Sequence, residues 1–365
     1  AEDALAVLSA RGMIGTPDYW QQHAVAGGIC DSKNVSILFN RAATRLPVPI
    51  PASVNATPLP ILPAKKIRDH YDIVIAGAGT GGCGAAVQAA RMGKSVLLLE
   101  ETDWIGGQMN AAAVTSMDEG GTLVRERGLY REWCGMIAAH YRPLGIDYET
   151  AYWHRHVCVE PRVGRTLLHT LLGDARGDKG ILDLVCQARV IGVTKSGDQI
   201  TGVKIECVSP TGKTTHEVSS KILIDATEWG DVIPLTGARY RTGNCISGEI
   251  DPARHIQSIT WTAVVKQYPD GVPEALRVTT TPPDYAKYAK SFAKGLVLGL
   301  DDDVKRPPKG TAWGFDRFIG YRGMPDSSRP PAGRVITRTH LNYSNDQPAT
   351  IADLYDPDTM PENLR

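Results

Sequence analysis

One stretch constrains this chain more than any other. Residues 72–76 (Asp72-Ile73-Val74-Ile75-Ala76) form a run of strand length, and Gly77, Gly79 and Gly82 follow as G-x-G-x-x-G, with Thr80 and Gly81 between the last two. Residues 85–92 are small and helix-compatible, residues 95–99 form a second apolar strand, and Glu100 closes it. Strand, glycine turn, helix and strand in that order make a complete βαβ unit. Such a unit commits the chain to an α/β fold built on a parallel sheet.

Each part of the unit has a physical task. Gly77 permits the tight turn out of the strand, Gly79 allows a pyrophosphate close to the backbone, and Gly82 lets helix and strand pack together. The helix N-terminus offers unpaired N–H groups and a positive dipole end to phosphates. Glu100 stands 23 residues after Gly77, where a carboxylate accepts from a ribose diol. An acid there favours FAD or NAD over NADP. A glycine-rich loop in an ordinary α/β domain is the plainer alternative, and it leaves the acid and the second strand unexplained.

Composition excludes several classes. Lys+Arg and Asp+Glu both number 40 in 365 residues, which gives no reason to expect nucleic acid as a partner. No apolar run reaches the length of a membrane span. Seven cysteines are scattered without C-x-x-C, so neither zinc nor iron–sulfur ligation is expected, and no metal site is assigned. Ala1 suits a mature start after export as well as a trimmed chain, with export slightly favoured over the cytoplasm.

Four regions follow from the punctuation. Residues 1–46 form a small helical module, with helices expected over 4–8, from Pro17 and over 35–46, and with Gly12-Met13-Ile14 and Pro17-Asp18-Tyr19-Trp20 as its signature. Residues 47–67 hold six prolines and read as an extended linker outside any packed layer. Residues 68–250 are the nucleotide-binding domain. They carry helices over 121–141 and 163–172, strands over 182–193, 202–208 and 214–218, and a buried strand over 221–226. Residues 251–365, rich in Pro, Gly, Trp and Tyr, form a β-rich substrate-side region with a strand at 258–265.

The order of motifs resembles the FAD-dependent oxidoreductases of the glutathione-reductase-like (GR2-type) superfamily, and within it a large family found near carbohydrate-degrading enzymes. Four stretches carry the resemblance: residues 72–100, 101–108, 159–164 (Val159-Glu160-Pro161-Arg162-Val163-Gly164) and 224–231 (Ile224-Asp225-Ala226-Thr227-Glu228-Trp229-Gly230-Asp231). It implies a Rossmann-like FAD domain in which Gly77, Gly79, Thr80, Gly81 and Gly82 hold the pyrophosphate. Glu100 and Glu101 would lie at the adenosine ribose, and Gly106, Gly107, Gln108 and Met109 towards the phosphates and ribityl chain. Val190, Ala226 and Thr227 would lie at the adenine side. The family closes its FAD domain with a later strand and helix, and nothing after Arg322 resembles them. The resemblance therefore implies a second polypeptide completing the domain, or a processed chain, and hence a heteromer.

The chemistry it implies is hydride removal from a C–H beside an alcohol or amine of a small organic substrate. His154, His156 and Arg162 are the catalytic candidates. The histidines would bracket a substrate, take a proton or carry a covalent flavin link, or would simply alternate across a strand. Arg162 would meet a substrate anion or pair with Glu160. Asp118 and Glu119 read as solvated or capping acids. Trp313, Phe315, Phe318 and Tyr321 would line a pocket or fill the core. Ser116 lacks any hydrolase context, and Cys83 reads as a small buried residue. Two further readings stay open, a non-catalytic FAD-bearing or scaffold subunit and an NAD-dependent dehydrogenase.

Overall fold

A computed structural model describes residues 17–23, 56–241, 251, 253, 255–260, 262–268, 270–281, 285–286, 315–328, 337–342, 346–347 and 350. The chain divides into two compact units, Ala1–Ala52 with Glu119–Met136, and Ser53–Asp118 with Ile137–Arg365.

In the first unit, helix α1 (Pro17–His23) starts at its proline, whose fixed φ and missing N–H suit a first helical position. The Tyr19 ring stacks on His23 at 4.3 Å. The helices expected over 4–8 and 35–46 lie outside the described residues. Glu119 differs from expectation. Its side chain is 1% exposed, paired in two places with Arg125 and bonded by the Tyr130 hydroxyl, so it is an anchored acid and not a solvated one.

The second unit is built on a six-stranded sheet of order β3-β2-β1-β6-β5-β4. The elements are β1 (His70–Ala76), α2 (Thr80–Arg91), β2 (Val96–Glu100), α3 (Gly128–Tyr141, which begins in the first unit), α4 (Pro161–Arg176), β3 (Leu182–Cys186), β4 (Ala188–Ser196), β5 (Gln199–Ser209) and β6 (Gly212–Asp225). Strands β3, β2, β1 and the end of β6 run parallel, and β4, β5 and the start of β6 form an antiparallel meander. All five residues of β2 are buried, as a parallel strand covered on both faces requires. Helix α2 turns Gly82, Cys83, Ala86 and Ala90 inward, and these small side chains keep the helix close to the sheet. The mixed α/β sheet and its leading βαβ unit are those the sequence predicts.

Three expectations need correction. The described part of the proline-rich stretch, residues 56–67, does not stand outside the packing. Leu59 is buried, its N–H bonds His169 O at 2.7 Å, Leu62 N–H bonds Leu184 O at 2.7 Å, and Gly173 leaves room for the Thr57 carbonyl. The strand expected over 182–193 breaks at Gln187, which takes φ 53 and sends the chain from β3 into β4. The segments at 214–218 and 221–226 are one strand, β6, and its second half is not buried: Ile222 is 52% exposed. That half pairs with β1 on one side, and no described strand pairs its other edge beyond Ser219.

After β6 come α5 (Ile233–Thr236), β7 (Ile259–Thr260), β8 (Ala263–Lys266), α6 (Phe315–Arg322), β9 (Gly323–Met324), β10 (Arg338–Leu341) and β11 (Asp346–Gln347). Strands β8-β10-β9 form one small sheet and β11-β7 another. A buried ionic link joins the first of these to α4. Glu160, the residue before α4, accepts from Arg338 Nη1 at 2.5 Å, from the Tyr141 hydroxyl and from Ser327 N–H, while Asp326 pairs with Arg338 and Lys266.

Candidate cofactor site

The glycine loop between β1 and α2 takes the shape its residues predict. Gly77 adopts φ 91, where an L side chain is strained, and an added Cβ would meet Ala226 O at 2.5 Å. Gly79 is the N-cap of α2 and makes no side-chain cap, so the first N–H groups of this 12-residue helix face outward. Glu100 does two jobs. One carboxylate oxygen accepts Ala78 N–H at 3.0 Å and fixes the loop, and the other accepts the Thr102 N–H and hydroxyl. A second glycine loop folds back on the first: Gly106 N–H bonds Ala78 O at 2.7 Å, and Gly106 and Gly107 take φ 102 and 49.

Together the loops floor a cleft of about 620 Å³. The end of β2 with Glu100 and Glu101 forms one wall, the start of β4 with Arg189 and Val190 another, and Ala226, Thr227 and Glu228 a third. Gln108, Ala111 and Ala112 continue the wall from the second glycine loop. Gly77, Gly79, Glu100, Glu101, Gly107, Gln108, Val190, Ala226 and Thr227 therefore come together as the sequence predicts. Thr80 and Gly81 stand exposed on the first turn of α2, Gly82 is buried in its packing face, and Gly106 and Met109 are buried behind the second loop. These five shape the site without lining it.

Arg189, Glu228 and Asp231 also line the cleft; Glu228 and Asp231 lie in the fourth stretch of the resemblance, but the sequence assigned a role to none of the three. Glu228 is informative. Its Oε1 lies over both glycine loops, where an added Cβ would stand 3.1 Å from it at Gly79 and 2.6 Å at Gly107. An anionic oxygen thus sits where a diphosphate would meet two glycines and an uncapped helix end. The cradle accepts an anion, and the carboxylate at Glu100 and the apolar wall at Val190 fit the remainder of a dinucleotide. Burial, then the Asp231 carboxylate, holds Glu101 above the usual carboxylate range. Burial, then Asp225, does the same for Asp231.

The candidate catalytic residues do not meet at this cleft. His154 is exposed, with Nδ1 3.3 Å from Asp147. His156 is half-buried with Nδ1 2.9 Å from Met117 O. Arg162 is exposed on the first turn of α4, and the partner of Glu160 is Arg338 and not Arg162. The two histidines do not alternate on a strand. Tyr152, Trp153 and His154 take φ 49, 55 and 62, a left-handed turn closed by the Ala151–His156 bridge and held by Tyr321 O and Gly320 O. Trp313 and the side chain of Phe315 lie outside the described residues, Phe318 is buried, and Tyr321 is half-buried beside Trp153.

A second polar cluster lies further along the chain from the cleft wall. Residues 114–118 run on from Ala112 and bridge Cys158 through Ser116. Arg322, at the end of α6, is 7% exposed; its Nη1 donates to Ser116 Oγ at 2.7 Å and to Asp118 at 3.2 Å, and its Nη2 donates to Tyr321 Oη. His340 of β10 is fully buried with Nε2 3.5 Å from Ser116 Oγ. Burial and the neighbouring Arg322 charge lower its pKa to about 3, so its ring is neutral.

Sequence comparison decides the family. A model of the FAD dependent oxidoreductase family matches residues 72–338. The chain belongs to that family. FAD is its cofactor. It is similar to digeranylgeranylglycerophospholipid reductase 1 of Methanococcoides burtonii, 29% identical over 44% of this chain and 38% of that one. It is also similar to vinyl phenol reductase of Lactiplantibacillus plantarum, 52% identical over 44% of this chain and 38% of the relative. The chain spans less than half the length of these curated relatives. Among solved structures it resembles a geranylgeranyl bacteriochlorophyll reductase-like protein of Thermoplasma acidophilum at 16% identity and TM-score 0.33, over 54% of this chain and 46% of that one. No helix among the described residues is long and apolar enough to cross a membrane.

Proposed function

We propose that this FAD-dependent oxidoreductase removes a hydride from a C–H beside an alcohol or amine of a small polar substrate. The observation that supports this reading is the path of residues 108–118. It leaves the cleft wall at Gln108 and Ala112 and enters, within about 14 Å of extended chain from Ala112, the hydrogen-bonding groups of Ser116, Tyr152 and Arg322. A polar substrate has partners there and a hydrocarbon has none.

Bound FAD supplies the two-electron acceptor. The chain's residues do the rest. Gly77, Gly79 and the α2 N-terminus hold the diphosphate, Glu100 and Val190 orient the adenosine end, and Gln108 to Ala112 direct the other end towards the cluster. The second reading runs the reaction in the opposite sense, as a reductase, and the names of both curated relatives favour it. A heteromer, with a second polypeptide extending the sheet, is part of the same proposal; the edge of β6 beyond Ser219, which no strand among the described residues pairs, supports it.

Anaerobic mixing tests the direction. Under the first reading, a panel of small alcohols and amines bleaches the yellow flavin absorbance without any nicotinamide. Under the second, only a reducing cofactor bleaches it, and an unsaturated substrate restores the colour.

A further inference from the structure

In the cluster around Arg322 the protein sets one of its own carboxylates, Asp118, against two donors. Two donors converge on one oxygen of Asp118: Arg322 Nη1 at 3.2 Å, and the Tyr152 hydroxyl through a short hydrogen bond. Both donors are held from behind. The guanidinium lies over two aromatic rings, with its carbon 5.0 Å from the Tyr152 centroid and 4.3 Å from that of Tyr321. Tyr152 itself is fixed by the left-handed turn at 152–154, whose N–H groups bond Tyr321 O and Gly320 O at 2.9 and 2.6 Å. Gly320 makes this approach possible, since a Cβ there would meet the Trp153 indole nitrogen at 2.7 Å.

The acceptor is held far less firmly than the donors. The Asp118 side chain is 73% exposed, whereas that of Arg322 is 8% exposed. Arg322 Nε is buried without a hydrogen-bond partner, and among the described residues the only carboxylate paired with this cation is an exposed one, Asp118. A buried guanidinium is costly unless an anion compensates it. Here the cation is built into the fold, and the anion is open to solvent.

We propose that Arg322, Tyr152 and Ser116 form the substrate-anchoring site, that its ligand is the carboxylate of a small organic acid, and that Asp118 occupies it until that acid displaces it. The substrate class is then a hydroxy acid or amino acid. This rests on the reading that the cluster adjoins the reacting end of the cleft. Exchange conserves every bond: the incoming carboxylate accepts from Arg322 Nη1 and the Tyr152 hydroxyl as Asp118 does now. Trp153, 58% exposed and 5.8 Å from the Tyr321 ring, borders the site.

The test uses the full-length FAD-loaded protein, with benzoate as probe and benzamide as its uncharged counterpart, and reads binding by calorimetry and tryptophan fluorescence. Removing the internal competitor with D118A should tighten benzoate about tenfold and leave benzamide weak, since a hydrogen bond to a charged group is worth about that factor. R322Q and Y152F should each weaken benzoate by a similar factor in the D118A background. Equal binding of benzoate and benzamide by D118A overturns the proposal, and Y152F keeps the test informative if R322Q does not fold.

Flavin bleaching separates this inference from the proposed reaction. Tight benzoate binding, with no hydroxy or amino acid able to bleach the flavin, upholds the site and removes the reaction. Bleaching by neutral alcohols, unaffected by D118A and Y152F, upholds the reaction and removes the site.

Discussion

Gly82 stands so close to the Gly77 carbonyl that a Cβ on it would lie 1.9 Å from the oxygen. The contact closes the turn between β1 and α2 and aims the helix N-terminus into the cleft. G82A must push the helix away from the strand or twist the loop, and either spoils the diphosphate cradle. We expect G82A to purify with less than about a tenth of the wild-type flavin content. G81A is the control. Gly81 has nothing within 4 Å of an added Cβ, so that variant should stay yellow. Absorbance ratios of flavin to protein decide the comparison.

Glu228 gives a change of the opposite sign. Its Oε1 lies over Gly79 and Gly107, so a diphosphate entering the cradle meets a negative charge that must move aside. E228Q keeps the shape and removes the charge. Flavin titration of the FAD-free protein should show E228Q binding FAD roughly tenfold tighter at neutral pH, the scale of one partly screened charge pair. Weaker binding would mean that the carboxylate helps to hold the cofactor.

The same cleft should make flavin binding sensitive to pH. Glu101 and Asp231 both titrate above the usual carboxylate range because burial and neighbouring acids disfavour their charged forms. Each is neutral below its raised pKa and anionic above it, so FAD affinity should fall as pH rises through that range. The folded protein also loses their share of stability in the same direction. D231N should flatten the affinity profile.

The βαβ unit was legible in the sequence because each of its parts is local: a strand run, three glycines, a helix of small residues and an acid. The first glycine loop and the Glu100 wall of the cleft followed from it; the walls at Val190 and Ala226 came from the resemblance. What the sequence hid is made by contacts distant along the chain. Glu228 reaches Gly79 and Gly107 across more than a hundred residues, and no local pattern encodes that meeting. Arg322, Ser116 and His340 meet only after α6 and β10 are in place. The left-handed turn at 152–154 defeated an alternation argument, because non-glycine residues carry no mark of that conformation. The proline-rich stretch misled for a similar reason. Its composition reads as a spacer, yet Leu59 and Leu62 pack it onto α4 and β3.

Arg338 ties β10 to α4 through Glu160 and to the acid at Asp326. Both carboxylates are largely buried, at 8% and 6% side-chain exposure, so removing the guanidinium leaves Glu160 uncompensated, while Asp326 keeps Lys266. R338M should cost about 3 kcal/mol in urea unfolding. The double variant E160Q/R338M should recover part of that loss, because the stranded charge is then gone. If R338M alone is neutral, the link contributes nothing to stability.

His340 makes the fold sensitive to acid. Its pKa falls from an ordinary 6.5 to about 3, because burial and the Arg322 charge disfavour protonation in the folded state. The unfolded chain therefore takes up a proton near pH 6.5 that the folded chain refuses until about 3. Stability from this source is complete above 6.5 and drains away as pH falls through the window. The total is at most on the order of 5 kcal/mol, at about 1.4 kcal/mol per pH unit. Most carboxylates titrate below pH 5, so the interval from 6.5 to 5 isolates the histidines. His169 is also lowered by burial and adds a share, so the comparison must be made between single variants. H340Q keeps a polar side chain of similar length near Ser116 and cannot titrate. Urea unfolding should show the wild type losing stability steeply across that interval and H340Q losing distinctly less. An unchanged slope in H340Q would mean that the ring takes its proton in the folded protein, and with it that the pocket between Arg322 and Ser116 admits water.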